Sequence, residues 1–513
     1  MRALLLSILA IVAIPTGLAA AAENAPLIRE TDLGRVEGID GEVQSFLGIP
    51  FAAPPTGELR WRAPVAPPAW SDIKDARSFA PDCIGSERLR AGSRASSASE
   101  DCLYLNIWSP RRDSKERLPV MVWVYGGGFV GGTSSAPYYD GAALARQGVI
   151  VVTFNYRMGV LGFLAHPALS KENPNSASGN YGLLDMLAAF QWVQRNIAAF
   201  GGDPDRVTVF GESAGASALG LLITSPLSEG LFNQAILESP GLARPLATLS
   251  QSEEQGLQLG TDLSALRQAD ATELMKLAQS RIPASRQITE PRVIGPILDG
   301  YVLHTPDVDA FASGTFNKVP VLVGGNAEEG RTFTDQLPIK TLAQYENYLV
   351  QQFGEAAPSW ERCYPAQSDD DVPAAISRLF GDNQFNHGID MLTEAYAKWD
   401  VPLWRYRFDG VPGTGRLPAT HGDEIPYVFG NLGPSSVSMF SSLEGGAGEA
   451  DTKLAATISA AWARFAAHGS PGHPKQLHWP RFDRGGKAMI FGSRVALGDV
   501  HGDTPSGPCP SYP

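Results

Sequence analysis

The segment that most restricts this chain lies between residues 207 and 223. Val207–Phe210 is a short, apolar, partly β-branched run of the kind that forms a buried strand. It passes directly into Gly211-Glu212-Ser213-Ala214-Gly215, and the small apolar residues from about Ala214 onward read as a helix. A G-x-S-x-G sequence between strand and helix asks for a sharp turn, with the serine in strained dihedrals and its hydroxyl projecting above a sheet. Gly211 and Gly215 leave room for the strand and helix backbones to approach closely. The helix start favours negative charge developing nearby. Ser213 is thereby the candidate nucleophile. A Gly/Ser-rich turn without chemistry is the other reading of the same five residues.

The surrounding pattern supplies the sheet that such a turn needs. Val120–Tyr125 and Val149–Asn155 are two further strong apolar strands, and Gln234–Leu237, Val319–Val323 and Leu403–Phe408 are candidates in the second half. Residues 183–199 have helical periodicity, with Leu183, Leu184, Leu187, Phe190, Val193 and Ile197 on one face. Alternating strands and helices predict an α/β architecture with a mostly parallel sheet. Arg35–Ile39 and Val43–Phe46 are shorter β-like runs ahead of a Pro-rich stretch. Residues 241–315 and 335–400 lack strand patterning and read as helical and irregular insertions between sheet elements.

Tyr125-Gly126-Gly127-Gly128-Phe129 follows the strand at 120–125. A glycine run placed there lets backbone N–H groups point into a cleft without obstruction. This is an oxyanion loop of the HGGG type, with Tyr125 in place of the histidine. Gly127 and Gly128 are expected to donate, joined by the N–H of Ala214. Each such donor is typically worth about 3 kcal/mol of transition-state stabilisation. A phosphate-cradling loop is the alternative, but the Lys-Ser/Thr ending of a P-loop is absent.

A serine nucleophile on this kind of sheet is followed in the chain by an acid and then a histidine. Glu328 and Glu329 follow the strand at 319–323 and precede Gly330. Adjacent side chains point different ways, so only one can serve, and spacing alone leaves the choice open. Six histidines lie downstream: His387, His421, His468, His473, His478 and His501. His421 is the best placed, in a Gly/Thr-flanked loop after the strand at 403–408, because loops at strand C-terminal ends carry the chemistry in such sheets. His304, His468 and His478 read as structural.

Composition narrows the setting. The 513 residues are 43% hydrophobic and 19% charged, enough apolar material for a large core. A formal net charge of −13 argues against nucleic acid as a partner. Arg2, the apolar run Ala3–Ile14 and the small residues Ala19–Ala22 read as an export signal over residues 1–22. No later stretch approaches the length of a membrane span. The chain has no N-x-S/T sequon, which fits a bacterial protein exported to the periplasm or beyond. Export permits disulfides. Cys83 and Cys102 bracket a Ser/Arg/Gly-rich loop and are expected to pair. Cys363 and Cys509 are the remaining two, either paired or free. Cysteine spacing gives no zinc ribbon, so no metal is expected, and the chemistry requires no cofactor. Oligomeric state is not readable.

The chain resembles the type-B carboxylesterase family, which includes cholinesterases, liver-type carboxylesterases and bacterial p-nitrobenzyl esterases. The likeness runs through most of residues 30–500. It rests on Glu100–Asn106, Val122–Phe129, Asn155-Tyr156-Arg157 with Gly162-Phe163-Leu164, Gly179–Asp185, Phe200–Pro204 and Phe210–Gly215. The resemblance implies the α/β-hydrolase fold, with long insertions over an active-site gorge and one catalytic domain over residues 23–513. It implies Glu329 as the acid, because Glu328-Glu329-Gly330 is similar to the family's Asp-Glu-Gly. It implies His421 as the base, because His421–Pro426 resembles the family's histidine loop. Ser239 and Glu212 stand as supporting residues. Cys83–Cys102 matches the family's first disulfide; Cys363–Cys509 has no clear counterpart. The implied activity is hydrolysis of a small-molecule carboxylic ester through an acyl-enzyme. A lipase, an amide or carbamate hydrolase, or a non-catalytic adhesion-type relative would share the fold.

Two departures bear on substrate. Residues 84–101 contain no aromatic side chain, so a choline site built there on cation–π contact is not expected. The family's acyl pocket lies just before Pro296–Gly300, and here the nearby residues are Glu290, Pro291, Arg292 and Val293. If Arg292 or Arg331 faces the gorge, an ester with an anionic acyl part becomes the expected substrate.

Overall fold

The structure is a computed structural model and describes residues 26–281, 290–410, 418–434, 443, 446–473, 475–483 and 486–500. The proposed export signal, His501 and Cys509 lie outside the described residues.

Ten strands form one mixed sheet: β1 (Val43–Pro50), β2 (Tyr104–Pro110), β3 (Leu118–Val124), β4 (Ile150–Phe154), β5 (Gly202–Glu212), β6 (Gln234–Glu238), β7 (Val321–Asn326), β8 (Leu403–Phe408), β9 (Ala488–Phe491) and β10 (Val495–Gly498). Their order across the sheet is β10-β9-β8-β7-β6-β5-β3-β4-β2-β1. Pairing is parallel from β4 through β9 and antiparallel at both flanks. β3, β4, β6 and β7 are buried along their whole lengths. Strands covered on both faces tolerate no alternation, which is why these segments read as continuous apolar runs.

Two helices do most to position the site. α1 (Ala214–Ile223) is buried at every residue and packs behind the sheet directly after Ser213. α2 (Glu449–His468) packs against β3 and β5, and its Trp462 Nε1–H donates to Glu238 Oε1 over 2.8 Å. The helix predicted over 183–199 is observed as Tyr181–Asn196 followed by a short 3₁₀ turn. The stretches read as insertions carry a series of helices, among them Leu249–Leu257 and Leu342–Phe353. Each starts at a threonine whose hydroxyl caps the third residue while a glutamine side chain returns the bond.

Three strands of the ten-stranded sheet were not read from sequence. β2 carries Asn106 and Ser109 among its apolar residues, and both are buried and hydrogen-bonded, Asn106 to Thr153 and Ser109 to Phe200. β9 and β10 are four residues each, too short for periodicity to register. Arg35–Ile39 belongs to a separate three-stranded sheet, as Gly34–Gly38 between Leu27–Thr31 and Lys74–Asp75.

Candidate functional site

The loops leaving the C-terminal ends of β3, β5, β6, β7 and β8 meet at one place. These strands are neighbours in the sheet, so residues far apart in sequence arrive together. Ser213, at the end of β5, has φ 55° and ψ −122°, a conformation few non-glycine residues adopt. It is held there by three bonds. Its N–H donates to Glu238 O over 2.9 Å, and its carbonyl accepts from the Ser217 N–H and hydroxyl, each at 2.8 Å. The two flanking glycines are required by space. A Cβ at Gly215 would lie 2.0 Å from Val124 O, and one at Gly211 would lie 2.5 Å from the same atom.

His421 Nε2 lies 2.8 Å from Ser213 Oγ, and Nδ1 lies 2.6 Å from Glu329 Oε2. Glu329 Oε1 accepts from the Ser239 hydroxyl at 2.5 Å and from the Asn326 N–H at 2.6 Å. The choice between the two glutamates follows from backbone pairing. Glu328 N–H donates to Ala419 O and joins the acid loop to the histidine loop, while its side chain turns outward to Arg331. Glu329 then faces inward and is 2% exposed. The other histidine assigned structural roles, His304, His468 and His478, are exposed.

The glycine loop crosses directly over Ser213: a Cβ at Gly126 would lie 2.8 Å from Ser213 Cβ. Gly127 and Gly128 have φ of 109° and 64°, so both need the freedom of glycine. The N–H groups of Gly127, Gly128 and Ala214 have no hydrogen-bond acceptor among the described residues. Tyr125 is buried and stacked on Tyr156, whose hydroxyl donates to Tyr125 O over 2.9 Å. The tyrosine thus anchors the loop at its base. Cys83 and Cys102 are joined, and the loop they close packs beneath the glycines, with Ser86 N–H donating to Val130 O.

Four buried glutamates, Glu212, Glu238, Glu329 and Glu424, lie close enough to act on one another electrostatically, and Glu212 and Glu329 flank the histidine. Glu212 Oε1 is 3.0 Å from His421 Nε2. Burial pulls the His421 pKa down, but the charges of Glu212 and Glu329 and their hydrogen bonds outweigh it and hold the imidazole well above its ordinary value. Glu424 is held well above the carboxyl range by burial and by the charges of Glu238, Glu212 and Glu329. Glu238 is pushed up to about 8 by burial and by Glu212, against the Trp462 hydrogen bond. Phe385 stacks on the His421 ring at 4.4 Å and Phe333 packs on it at 5.0 Å.

A profile of the carboxylesterase family matches residues 25–494. The chain belongs to the carboxylesterase family. It is 70% identical over 491 residues to a fumonisin B1 esterase of Sphingopyxis macrogoltabida, covering 96% of this chain and 91% of that protein. It is 36% identical to the para-nitrobenzyl esterase of Bacillus subtilis strain 168, covering 91% of this chain and 95% of that one. A solved PNB esterase structure superposes with a TM-score of 0.82 at 34% identity, over 93% of this chain and 98% of its own. The fold is that of the α/β hydrolases, and the protein is a carboxylic ester hydrolase.

Within this carboxylesterase, several residues near the site were given no role from the sequence. Asn326 and Glu424 pair through a 2.6 Å hydrogen bond, and Phe333 and Phe385 come from helical insertions. Glu424 had one visible clue, an acid directly ahead of the apolar Ile425–Phe429. Of the two arginines considered for the gorge, Arg331 pairs with Glu328 at 3.1 Å and Asp335 at 3.5 Å. Arg292 lines a cavity beside the oxyanion loop, together with Arg244, which the sequence did not single out. The described residues contain no helix long and apolar enough to cross a membrane.

Proposed function

We propose that this carboxylesterase hydrolyses its ester through a Ser213–His421–Glu329 triad and an acyl-enzyme. The observation that carries the reading is the pair of contacts on one imidazole, 2.8 Å from Nε2 to Ser213 Oγ and 2.6 Å from Nδ1 to Glu329 Oε2. In its neutral form a histidine held this way keeps its proton on Nδ1 toward Glu329 and presents an unprotonated Nε2 to the hydroxyl. Ser213 Oγ attacks the ester carbonyl carbon as its proton passes to His421. The carbonyl oxygen becomes an oxyanion facing the N–H groups of Gly127, Gly128 and Ala214. The C–O bond to the alcohol breaks, and His421 returns its proton to the leaving oxygen. Water then attacks the acyl carbon with His421 again as base, releasing the acid and free Ser213.

Glu212 and Ser239 act as supporting residues, the first beside Nε2 and the second holding Glu329. Residues 1–22 are read as an export signal, and the Cys83–Cys102 disulfide fits an oxidising compartment. The identity to the fumonisin B1 esterase makes fumonisin B1 the first ester to assay. The test of the mechanism is labelling by a fluorophosphonate probe. Wild type should label at one site and Ser213→Ala should not; labelling that persists in the variant overturns the proposal.

A further inference from the structure

Residues Val372 to Lys398 form one continuous helix with a π-turn, Asp382–Asn386, in its middle. Among the described residues it is the one π-turn. Such a turn takes an extra residue into the helix, is rare, and recurs at functional sites. Two glycines pin the helix on either side of it. A Cβ at Gly381 would lie 3.0 Å from Gly330 N, beside Glu329, and one at Gly388 would lie 2.7 Å from Leu242 O, in the segment after β6. The turn itself is clasped. Asn386 Nδ2 donates to Asp382 Oδ1 over 2.8 Å, and the Tyr364 hydroxyl donates to Asp382 Oδ2 over 3.0 Å. Tyr364 belongs to a separate small core that includes Tyr345, Trp360 and Leu379.

The turn delivers Phe385 to the site. Its ring lies 4.4 Å from the His421 ring, centre to centre, with 28° between the planes. Phe333 stands at 56° to the imidazole and so offers no parallel face; it packs on Phe385 at 5.8 Å and on Phe380 at 5.1 Å. The polar contacts of His421 all meet its edge. Nδ1 faces Glu329, and Nε2 faces Ser213 and Glu212. Contacts at the two nitrogens fix where the edge points and leave the tilt of the ring to whatever packs on its face.

The face contact has a second consequence. In the proposed mechanism the imidazole takes a proton, and with it a positive charge, as Ser213 attacks. Burial works against that charge. An aromatic face is electron-rich and attracts a cation within about 6 Å of its centre, more strongly where water is excluded. The attraction is weak toward the neutral imidazole and strong toward the imidazolium. It therefore acts in the transition state, raising kcat and leaving KM unchanged.

We propose that Phe385 is a positioning residue of the hydrolysis, presented by the π-turn so that its ring face holds the tilt of His421 and attracts the charge the imidazole gains during attack. The proposal rests on the reading of His421 as the base. It adds a residue from a helical insertion that makes no contact through a polar atom.

The test removes the ring and then only its electrons, with kcat read above the acid limb of the pH profile, where His421 is neutral. Phe385→Leu should lower kcat by about 3- to 30-fold, the range of a cation–π contact, on 4-nitrophenyl acetate and 4-nitrophenyl butyrate alike, with KM within about twofold. Incorporation of 4-fluoro-, 3,5-difluoro- and pentafluorophenylalanine in place of Phe385 nearly keeps its shape and drains its face in steps. The logarithm of kcat should fall with each step, whereas a side chain that only packs would leave it level. A kcat level within about twofold along the series, or a loss in Phe385→Leu that falls on KM instead, overturns the proposal. Should Phe385→Leu fail to fold, the fluorinated proteins give the answer alone. His421→Ala separates the two levels. Hydrolysis lost there, with kcat level along the fluorinated series, removes the Phe385 assignment alone. Hydrolysis persisting in His421→Ala removes the base reading and this one with it.

Discussion

Glu329→Gln is the substitution whose effect the geometry fixes most closely. The side chain keeps its shape and loses its charge, so its consequence depends on which way the new amide settles. Oε1 of Glu329 sits where two donors converge, the Asn326 N–H at 2.6 Å and the Ser239 hydroxyl at 2.5 Å. The serine hydroxyl can rotate, but a backbone N–H cannot become an acceptor. The glutamine must therefore place its oxygen at the Oε1 position and its NH₂ at the Oε2 position, 2.6 Å from His421 Nδ1. Nδ1 then has to accept, the ring proton moves to Nε2, and Nε2 becomes a donor toward Ser213 Oγ. A base that already carries its proton cannot take another.

The reversed amide restores the tautomer but sets two N–H groups against each other in a buried site. Leaving those donors unsatisfied costs about 2–4 kcal/mol, so roughly 3% to 0.1% of molecules would be competent. The missing charge weakens the imidazolium formed during attack by about another factor of ten or more. The expected loss in kcat/KM is about 10³- to 10⁴-fold on 4-nitrophenyl acetate, measured beside Glu328→Gln, which should stay within about twofold because that side chain only pairs with Arg331 at the surface. A Glu329→Gln enzyme keeping more than about a tenth of wild-type kcat/KM would refute the tautomer argument.

Two further outcomes follow from the buried carboxylates. His421 must be neutral to accept a proton, and Glu212 is one of the charges that raise its pKa against burial; Glu212→Gln should therefore move the acid limb of the kcat/KM–pH profile to lower pH, and a limb that stays or rises overturns this role. Glu238, pushed up to about 8 by burial, keeps its proton in the folded state where the unfolded chain has released it, so its contribution to stability is lost as pH rises from the ordinary carboxyl range through about 8. Glu238→Gln can still accept the Trp462 N–H and should flatten that decline in thermal denaturation between about pH 5 and about pH 9; matching slopes for variant and wild type count against it.

The legibility of the molecule from its sequence tracks how local each constraint is. The strand–turn–helix around Ser213 was readable because Gly211, Gly215 and the apolar strand all answer to contacts within a few residues or with one neighbouring carbonyl, Val124 O. The parallel strands were readable because burial on both faces leaves no room for polar residues. Glu328 against Glu329 was not decidable from the residues, since it depends on the Glu328 N–H bonding Ala419 O, 91 positions away. The resemblance to a family made the choice that local physics could not. β9 and β10 escaped because four residues carry too little pattern, and β2 because its buried polar groups are satisfied by partners distant in sequence.

Under the proposed mechanism the same distinction separates catalysis from selectivity. Ser213 and Glu329 sit close to strand ends and His421 in the longer loop that follows β8, and short sequence signatures mark these positions. Arg244 and Arg292 sit in the connections and insertions above those ends, where no periodic pattern marks a position. A side chain in such a segment becomes meaningful only once the fold has carried it to the reacting carbon. Arg244 is five residues beyond Ser239, yet nothing local ties it to Arg292; the two meet because β6 delivers one and the long insertion before β7 delivers the other to a single cavity. On the proposed mechanism the reaction is a property of the sheet, and the choice of ester a property of the segments laid over it. Substitutions at the strand ends should change the rate on every ester alike, while substitutions in the cavity wall should change the ranking of esters against one another.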